Sequence, residues 1–402
     1  MVSISLIIGS LVALGAVYLQ AGLYNIVYIF GGLLVREIQP ISDFPYECRR
    51  VKHQLLESCE HMWLDEGERK IYGACKDLDA RRGWNPSVAH LDASKRTLTD
   101  RIVVLDIDNP GPDGLYGLHT LSPVGSYRSI NGVMQNLDVL AFDVEILEDA
   151  TRRFYVTNLR VPADEQGTPL DPRKLGANAT FEVFDLPRGK SELKHVRTIV
   201  NPEVLISPNS ITMDGRGGFY FTNDHGTKFG TLFELEPLLG KGSVAHCSAT
   251  SDVCKIVAKG GFFFPNGIVR GRDGLIYVAQ AGAGKITVLS PQPDQSLLKV
   301  QDIYIGSPID NLSIDANGDI FAAVFTHAQK MLAAISGPVL EDAPAAVWRI
   351  RKTAGKYETK KVLEDNEGAI LSIATVAVHD AKTGRIFAAG ISSKFIVVCE
   401  PK

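Results

Sequence analysis

Five residues carry the chemistry this sequence most plainly offers: Glu60, Asn209, Asn266, Asp310 and Asn311. Apart from the neighbours Asp310 and Asn311 they lie far apart in the chain, yet each stands at the start of a short alternating apolar run. Together they supply two carboxylates and three amides, with no sulfur or imidazole among them. Hard oxygen donors of this kind suit Ca²⁺, which takes about 6–8 oxygens at about 2.3–2.6 Å. Zinc and copper favour nitrogen and sulfur instead. A lone Asn at such a place is ordinarily a turn or cap residue; the joint occurrence at equivalent places is what gives the set meaning. A calcium with an open position polarises a carbonyl and stabilises a developing oxyanion. Hydrolysis also needs a base for water. The candidates are His61, next to Glu60, and His225, in the stretch Thr222-Asn223-Asp224-His225, although either also reads as a hydrogen-bonded structural histidine. Glu60 or Asp310 could serve if it bound the ion through one oxygen only.

The elements that must bring these residues together are repeats. After residue 40 the sequence has no long 3.6-residue periodicity and is rich in short β-type runs separated by Gly, Asp, Asn and Pro. One pattern recurs: a polar residue, an alternating strand, a turn, and a return strand with an aromatic near its start. Glu60 to Leu64 leads to Ile71-Tyr72, Leu137 to Val144 to Phe154-Tyr155, and Asn209 to Thr212 to Phe219-Tyr220. Asn266 to Val269 leads to Ile276-Tyr277, Asp310 to Ser313 to Ile320-Phe321, and Ser372 to Val378 to Ile386-Phe387. Six such units predict an all-β, six-bladed β-propeller. The innermost strand of each blade lines the axis, so residues at the strand starts converge there.

Ordinary globular composition (45% hydrophobic, 22% charged) and a formal net charge of -4 exclude a nucleic-acid binder. The run 1–35 carries no charged side chain and exceeds the roughly 20 apolar residues a spanning helix needs. It predicts an N-terminal hydrophobic helix that is a retained membrane anchor, with a cleaved signal or a buried apolar hairpin as alternatives, ahead of a propeller over 40–402. Six cysteines, an even number behind such a segment, point to disulfides and to a lumenal or extracellular setting. Cys247 and Cys254 bracket a polar stretch, and Cys59 and Cys75 flank a hairpin. The pairs Cys59/His61 and His246/Cys247 lack further ligands at zinc spacing. Asn178-Ala179-Thr180 is a glycosylation sequon, read as part of a polar loop. Neither a dinucleotide fold around Gly282 and Gly284 nor a nucleophile elbow at Ser207 or Ser307 is present.

Several of these stretches resemble the serum paraoxonase/arylesterase family. The matching segments are Val35-Arg36-Glu37-Ile38-Gln39-Pro40 with Cys48, Ser207-Pro208-Asn209 with Tyr220 and Asn223-Asp224-His225, Phe264-Pro265-Asn266-Gly267-Ile268, Ile309-Asp310-Asn311-Leu312-Ser313, and the terminal Cys399-Glu400. The resemblance runs from about residue 35 to 402. It implies a catalytic calcium on Glu60, Asn209, Asn266, Asp310 and Asn311, and a disulfide between Cys48 and Cys399 that closes the ring. It implies a hydrolase of lactones or aryl esters, its substrate a small apolar ester or lactone. Phe262-Phe263-Phe264 could form a substrate wall, although blade core is the stronger reading there. Two departures bear on this. Family members hold a second, structural calcium with aspartates where this chain has His61 and Ser210, and a histidine dyad where the alignment puts Leu137 and Leu159. The alternative is therefore a calcium-binding propeller with a cyclase, isomerase or binding role, followed by a purely scaffolding propeller.

Overall fold

In the computed structural model the alternating runs form the inner strands of a ring, and the aromatic on each return strand sets the register. Residues 20, 22–30, 38–97, 99–127, 137–248, 250–251, 253–336 and 342–402 are described. Tyr72, Tyr155, Tyr220, Tyr277, Phe321 and Phe387 pair with Trp63, Asp143, Thr212, Val269, Ser313 and Val378 of the neighbouring inner strand. None of the six rings is more than 2% exposed. Each fills the layer between two blades, where burying one aromatic side chain contributes about 1.5–3 kcal/mol.

Two more antiparallel strands complete each sheet, giving six four-stranded blades. Their inner strands are His61–Asp65, Val139–Ile146, Pro208–Met213, Pro265–Arg270, Ile309–Ile314 and Val376–His379, and each packs beside the next around the axis. The outer edges of blades 1 and 2 join through a short parallel pairing of Glu192–Ile199 with His119–Val124. Blade 6 takes its outermost strand, Tyr46–Lys52, from the start of the propeller. That strand lies antiparallel to Phe395–Pro401 with Cys48 opposite Cys399, so the chain ends lock the ring.

All six cysteines are paired, Cys48 with Cys399, Cys59 with Cys75 and Cys247 with Cys254. This is the pattern of a lumenal or extracellular protein. The predicted anchor over 1–35 falls for the most part outside the described residues. Its described part includes the helical turn Asn25–Phe30, which packs against Ala281–Ala283 and Ala328–Ser336. Among the described residues no helix is long and apolar enough to cross a membrane. Asn178 opens the strand Asn178–Leu186 and is half-buried, where a polar loop was expected. It begins a strand because the chain from Asn178 onward pairs with Arg152–Arg160.

Candidate metal centre

Counting back three residues from the partner of each blade aromatic gives one level of the channel: Glu60, Leu140, Asn209, Asn266, Asp310 and Thr375. Five are polar. The ladder of blades 3, 4 and 5 skips a step here, between Pro208 and Ile211, Pro265 and Ile268, and Ile309 and Leu312. A bulge of this kind frees residues from strand pairing and re-aims their side chains. Gly267 is required at this level. A Cβ there would sit 2.5 Å from Leu312 N and 2.6 Å from Asn311 Cα, so only glycine lets blades 4 and 5 approach so closely. Strain collects here too. Ser58, Phe264 and Ile373, each two residues before a ring position, have φ of +49°, +49° and +47°, a conformation that costs non-glycine residues about 1–3 kcal/mol each and gathers at functional sites.

The five sequence-predicted oxygen residues are all buried. Asn311 Nδ2 donates to Glu60 O at 3.1 Å, to Glu60 Oε1 at 3.3 Å and to Asp310 Oδ1 at 3.3 Å. Asn266 hydrogen-bonds Asp310. Asn209 donates to Asp224 Oδ2 at 3.0 Å, and Asp224 also accepts from the Ser207 hydroxyl and hydrogen-bonds His225 Nδ1 at 2.7 Å. Three buried oxygens have no partner: Glu60 Oε2, Asn266 Oδ1 and Asn311 Oδ1. Each such orphan costs about 1–3 kcal/mol. Burial, opposed by Arg81, Thr375 and Asn311, pushes the Glu60 carboxyl up to about 7. Asp310 is raised well above the carboxylate range by burial and then by the charge of Glu60. Two buried acids, with unsatisfied oxygens on Glu60, Asn266 and Asn311, form a donor set that fits a hard divalent cation. Among the described residues no three His, Cys, Asp or Glu side chains gather for a metal, which leaves this mixed carboxylate–amide set.

The candidate bases stand apart. His61 is buried on the channel wall below the ring, Nδ1 unpartnered, its ring edge-on to Phe142 at 5.2 Å, and burial pulls its pKa down to about 4. It borders a cavity of about 240 Å³ with Asp143, Ser313 and His379. His225 is buried, stacked on Phe233 at 3.7 Å, and is linked to the ring through Asp224. Of the phenylalanine triplet, Phe262 belongs to the core between blades 3 and 4, whereas Phe264 lies against His225 at 5.4 Å.

The register revises one assignment. Leu140, not Leu137, occupies the blade 2 ring position; Leu137 precedes the strand and packs with Leu121, Tyr127 and Leu193. Leu159 stands in blade 2 where Asp224 stands in blade 3, one residue past Asn158 and Asn223. Thr375 and Arg81 were missed. Arg81 is buried, bonded to Val139 O at 3.2 Å beside Leu140 and to Ser58 Oγ at 3.4 Å, so a cation flanks the one apolar sector of the ring. Thr375 was legible three residues before the partner of Phe387; Arg81 comes from a helix, Leu78–Gly83, outside the repeat and left no signal.

The family model described as Arylesterase matches residues 174–399, more than half of the chain. The chain belongs to the arylesterase family. The matched part carries Asn209, Asn266, Asp310, Asn311 and Cys399, while Glu60 lies before it. Among relatives, serum paraoxonase/lactonase 3 of Mus musculus is 29% identical over 275 residues, 67% of this chain and 72% of that protein. Serum paraoxonase/arylesterase 2 of Homo sapiens is 32% identical over 207 residues, 50% of this chain and 57% of that protein. Serum paraoxonase/lactonase 3 of Oryctolagus cuniculus is 33% identical over 215 residues, 52% of this chain and 59% of that protein. For two of these three arylesterase-family relatives the chain thus spans less than two thirds of their length.

Proposed function

We propose that this protein is a calcium-dependent hydrolase of lactones or aryl esters, with one ion held by Glu60, Asn209, Asn266, Asp310 and Asn311. The observation that carries the reading is the set of partnerless buried oxygens on Glu60, Asn266 and Asn311 beside the raised Glu60–Asp310 pair. Membership of the arylesterase family and the printed activities of the relatives support the substrate class. Bound calcium would supply a Lewis acid for the substrate carbonyl and charge for the oxyanion. The protein's own groups do the rest. Asp224 holds Asn209, Thr375 holds the Glu60 backbone, and neutral His61 has an unpartnered Nδ1 below the ring. The finer setting proposed is a propeller in the secretory lumen or outside the cell, anchored through 1–35 and glycosylated at Asn178.

A second reading has its own support. Leu140, Leu137 and Leu159 put no imidazole on the blade 2 side, and His61, with a pKa of about 4, is a weak base. The same calcium site would then serve a binding, cyclase or isomerase role. Purified protein assayed on a panel of lactones and aryl acetates, with calcium and with EDTA, separates the two. Calcium-dependent turnover supports the hydrolase. Calcium binding by calorimetry without turnover supports the second reading, and neither binding nor turnover removes both.

A further inference from the structure

We propose that Ser126, His195 and Glu182, at the seam between the outer strands of blades 1 and 2, form a second, metal-independent reactive site in which Ser126 is a nucleophile toward activated acyl or phosphoryl esters. Ser126 Oγ lies 3.0 Å from His195 Nδ1, and His195 Nε2 lies 3.3 Å from Glu182 Oε2. Nucleophile, imidazole and carboxylate therefore stand in line within hydrogen-bond reach, the arrangement that recurs on unrelated folds.

Three features separate this line from an ordinary surface contact. Burial alone would raise the Glu182 carboxyl, but hydrogen bonds from His195, Thr198, Thr180 and Asn158 hold it below the usual range, so it stays an anion. An anion facing Nε2 keeps the imidazole proton there and leaves the Nδ1 lone pair toward Ser126. The His195 side chain is 8% exposed and Glu182 is 0% exposed, whereas Ser126 is open to solvent, so the base is shielded and the nucleophile is accessible. Gly125, at φ +95°, carries the chain over His195, with its Cβ position 3.6 Å from the His195 backbone N, and this turn presents the serine.

In the reaction the Ser126 Oγ lone pair attacks the carbonyl carbon or the phosphorus and forms the new ester bond. The hydroxyl proton passes to His195 Nδ1. The bond to the leaving group breaks, and the leaving group takes the bonding electrons and that proton. Ser126 ends as an acyl or phosphoryl ester and the histidine is neutral again.

The test treats the full chain, calcium-saturated, with a fluorophosphonate probe and follows intact mass and peptide mapping. One label on Ser126 is expected, absent in Ser126→Ala. Labelling should slow by about 100-fold or more in His195→Gln, the share of a lost general base. Glu182→Gln, which leaves Ser126 and His195 in place, should slow labelling as well and reads the same line through a second variant. Labelling at another serine, no labelling at all, or a rate on Ser126 indifferent to both His195→Gln and Glu182→Gln would overturn the proposal and leave the trio a structural hydrogen-bond chain.

Discussion

Replacing Asp310 by Asn should move stability in opposite directions with and without calcium. The parent buries Asp310 beside Glu60, and each acid is raised. A raised carboxyl contributes stability that is full below its unfolded value and is lost as pH rises through its folded value. For Glu60 the span is from 4.5 to about 7, worth about 3 kcal/mol at 1.36 kcal/mol per unit. Asp310 adds to this in the same direction, and the two titrate as a pair. Calcium-free parent should therefore weaken steadily between about pH 5 and pH 8. Asp310→Asn keeps the shape, removes the repulsion and should flatten that slope, leaving the variant about 1–3 kcal/mol more stable than the parent at pH 8 in EDTA. Calcium at a thousandfold excess over its dissociation constant should stabilise the parent by about 4 kcal/mol. The variant, short of one anionic donor, should bind about 100-fold more weakly and keep under half of that gain. Urea unfolding at several pH values, in EDTA and in millimolar calcium, measures both effects. A variant that retains the full calcium-induced shift, or that is weaker than the parent in EDTA at pH 8, would refute the assignment of Asp310 to the centre.

Other perturbations probe the supports of the site. Gly267→Ala forces a Cβ to within 2.5 Å of Leu312 N, so it should destabilise the protein by about 1–3 kcal/mol and lower calcium affinity together, as unfolding and calorimetric titration would record. Arg69 bonds the fully buried Asp380 at 2.8 Å, and this, with Thr383 and backbone bonds, outweighs burial and holds that acid far below the carboxylate range. Its contribution is present above about pH 4 and is lost as pH falls; Arg69→Met should cost about 3–5 kcal/mol at neutral pH and reduce the acid loss, read from urea midpoints at pH 3 to 7. Cys48→Ser with Cys399→Ser opens a cross-link over 351 residues, worth about 6 kcal/mol in the loop-entropy model. A calorimetric loss under about 1 kcal/mol would show that the strand pairing of Tyr46–Lys52 closes the ring without help.

The sequence carried the ring because the ring is periodic. A polar residue, three steps, and the partner of an aromatic recur in five of the six blades, and that spacing puts Glu60, Asn209, Asn266 and Asp310 on one level. Where the period is read by polarity alone it fails. Blade 2 has an apolar ring residue, so the eye settles on Leu137 when the register demands Leu140, and blade 6 offers Ser372 ahead of the true position, Thr375. What lies between repeats has no period to betray it. Arg81, and the line from Ser126 through His195 to Glu182, are assembled from the helix after blade 1's first hairpin and from outer strands whose spacing varies. The chemistry follows the same division: the proposed metal centre belongs to the repeat, and the charge beside it belongs to an insertion. Arg81 makes the case. It is a fixed positive charge held beside the only ring sector without a polar side chain, and it lowers the Glu60 carboxyl that burial raises. A tethered cation near the buried Glu60 offsets part of the burial of that acid when no ion is bound, and would at the same time weaken the attraction for the proposed calcium.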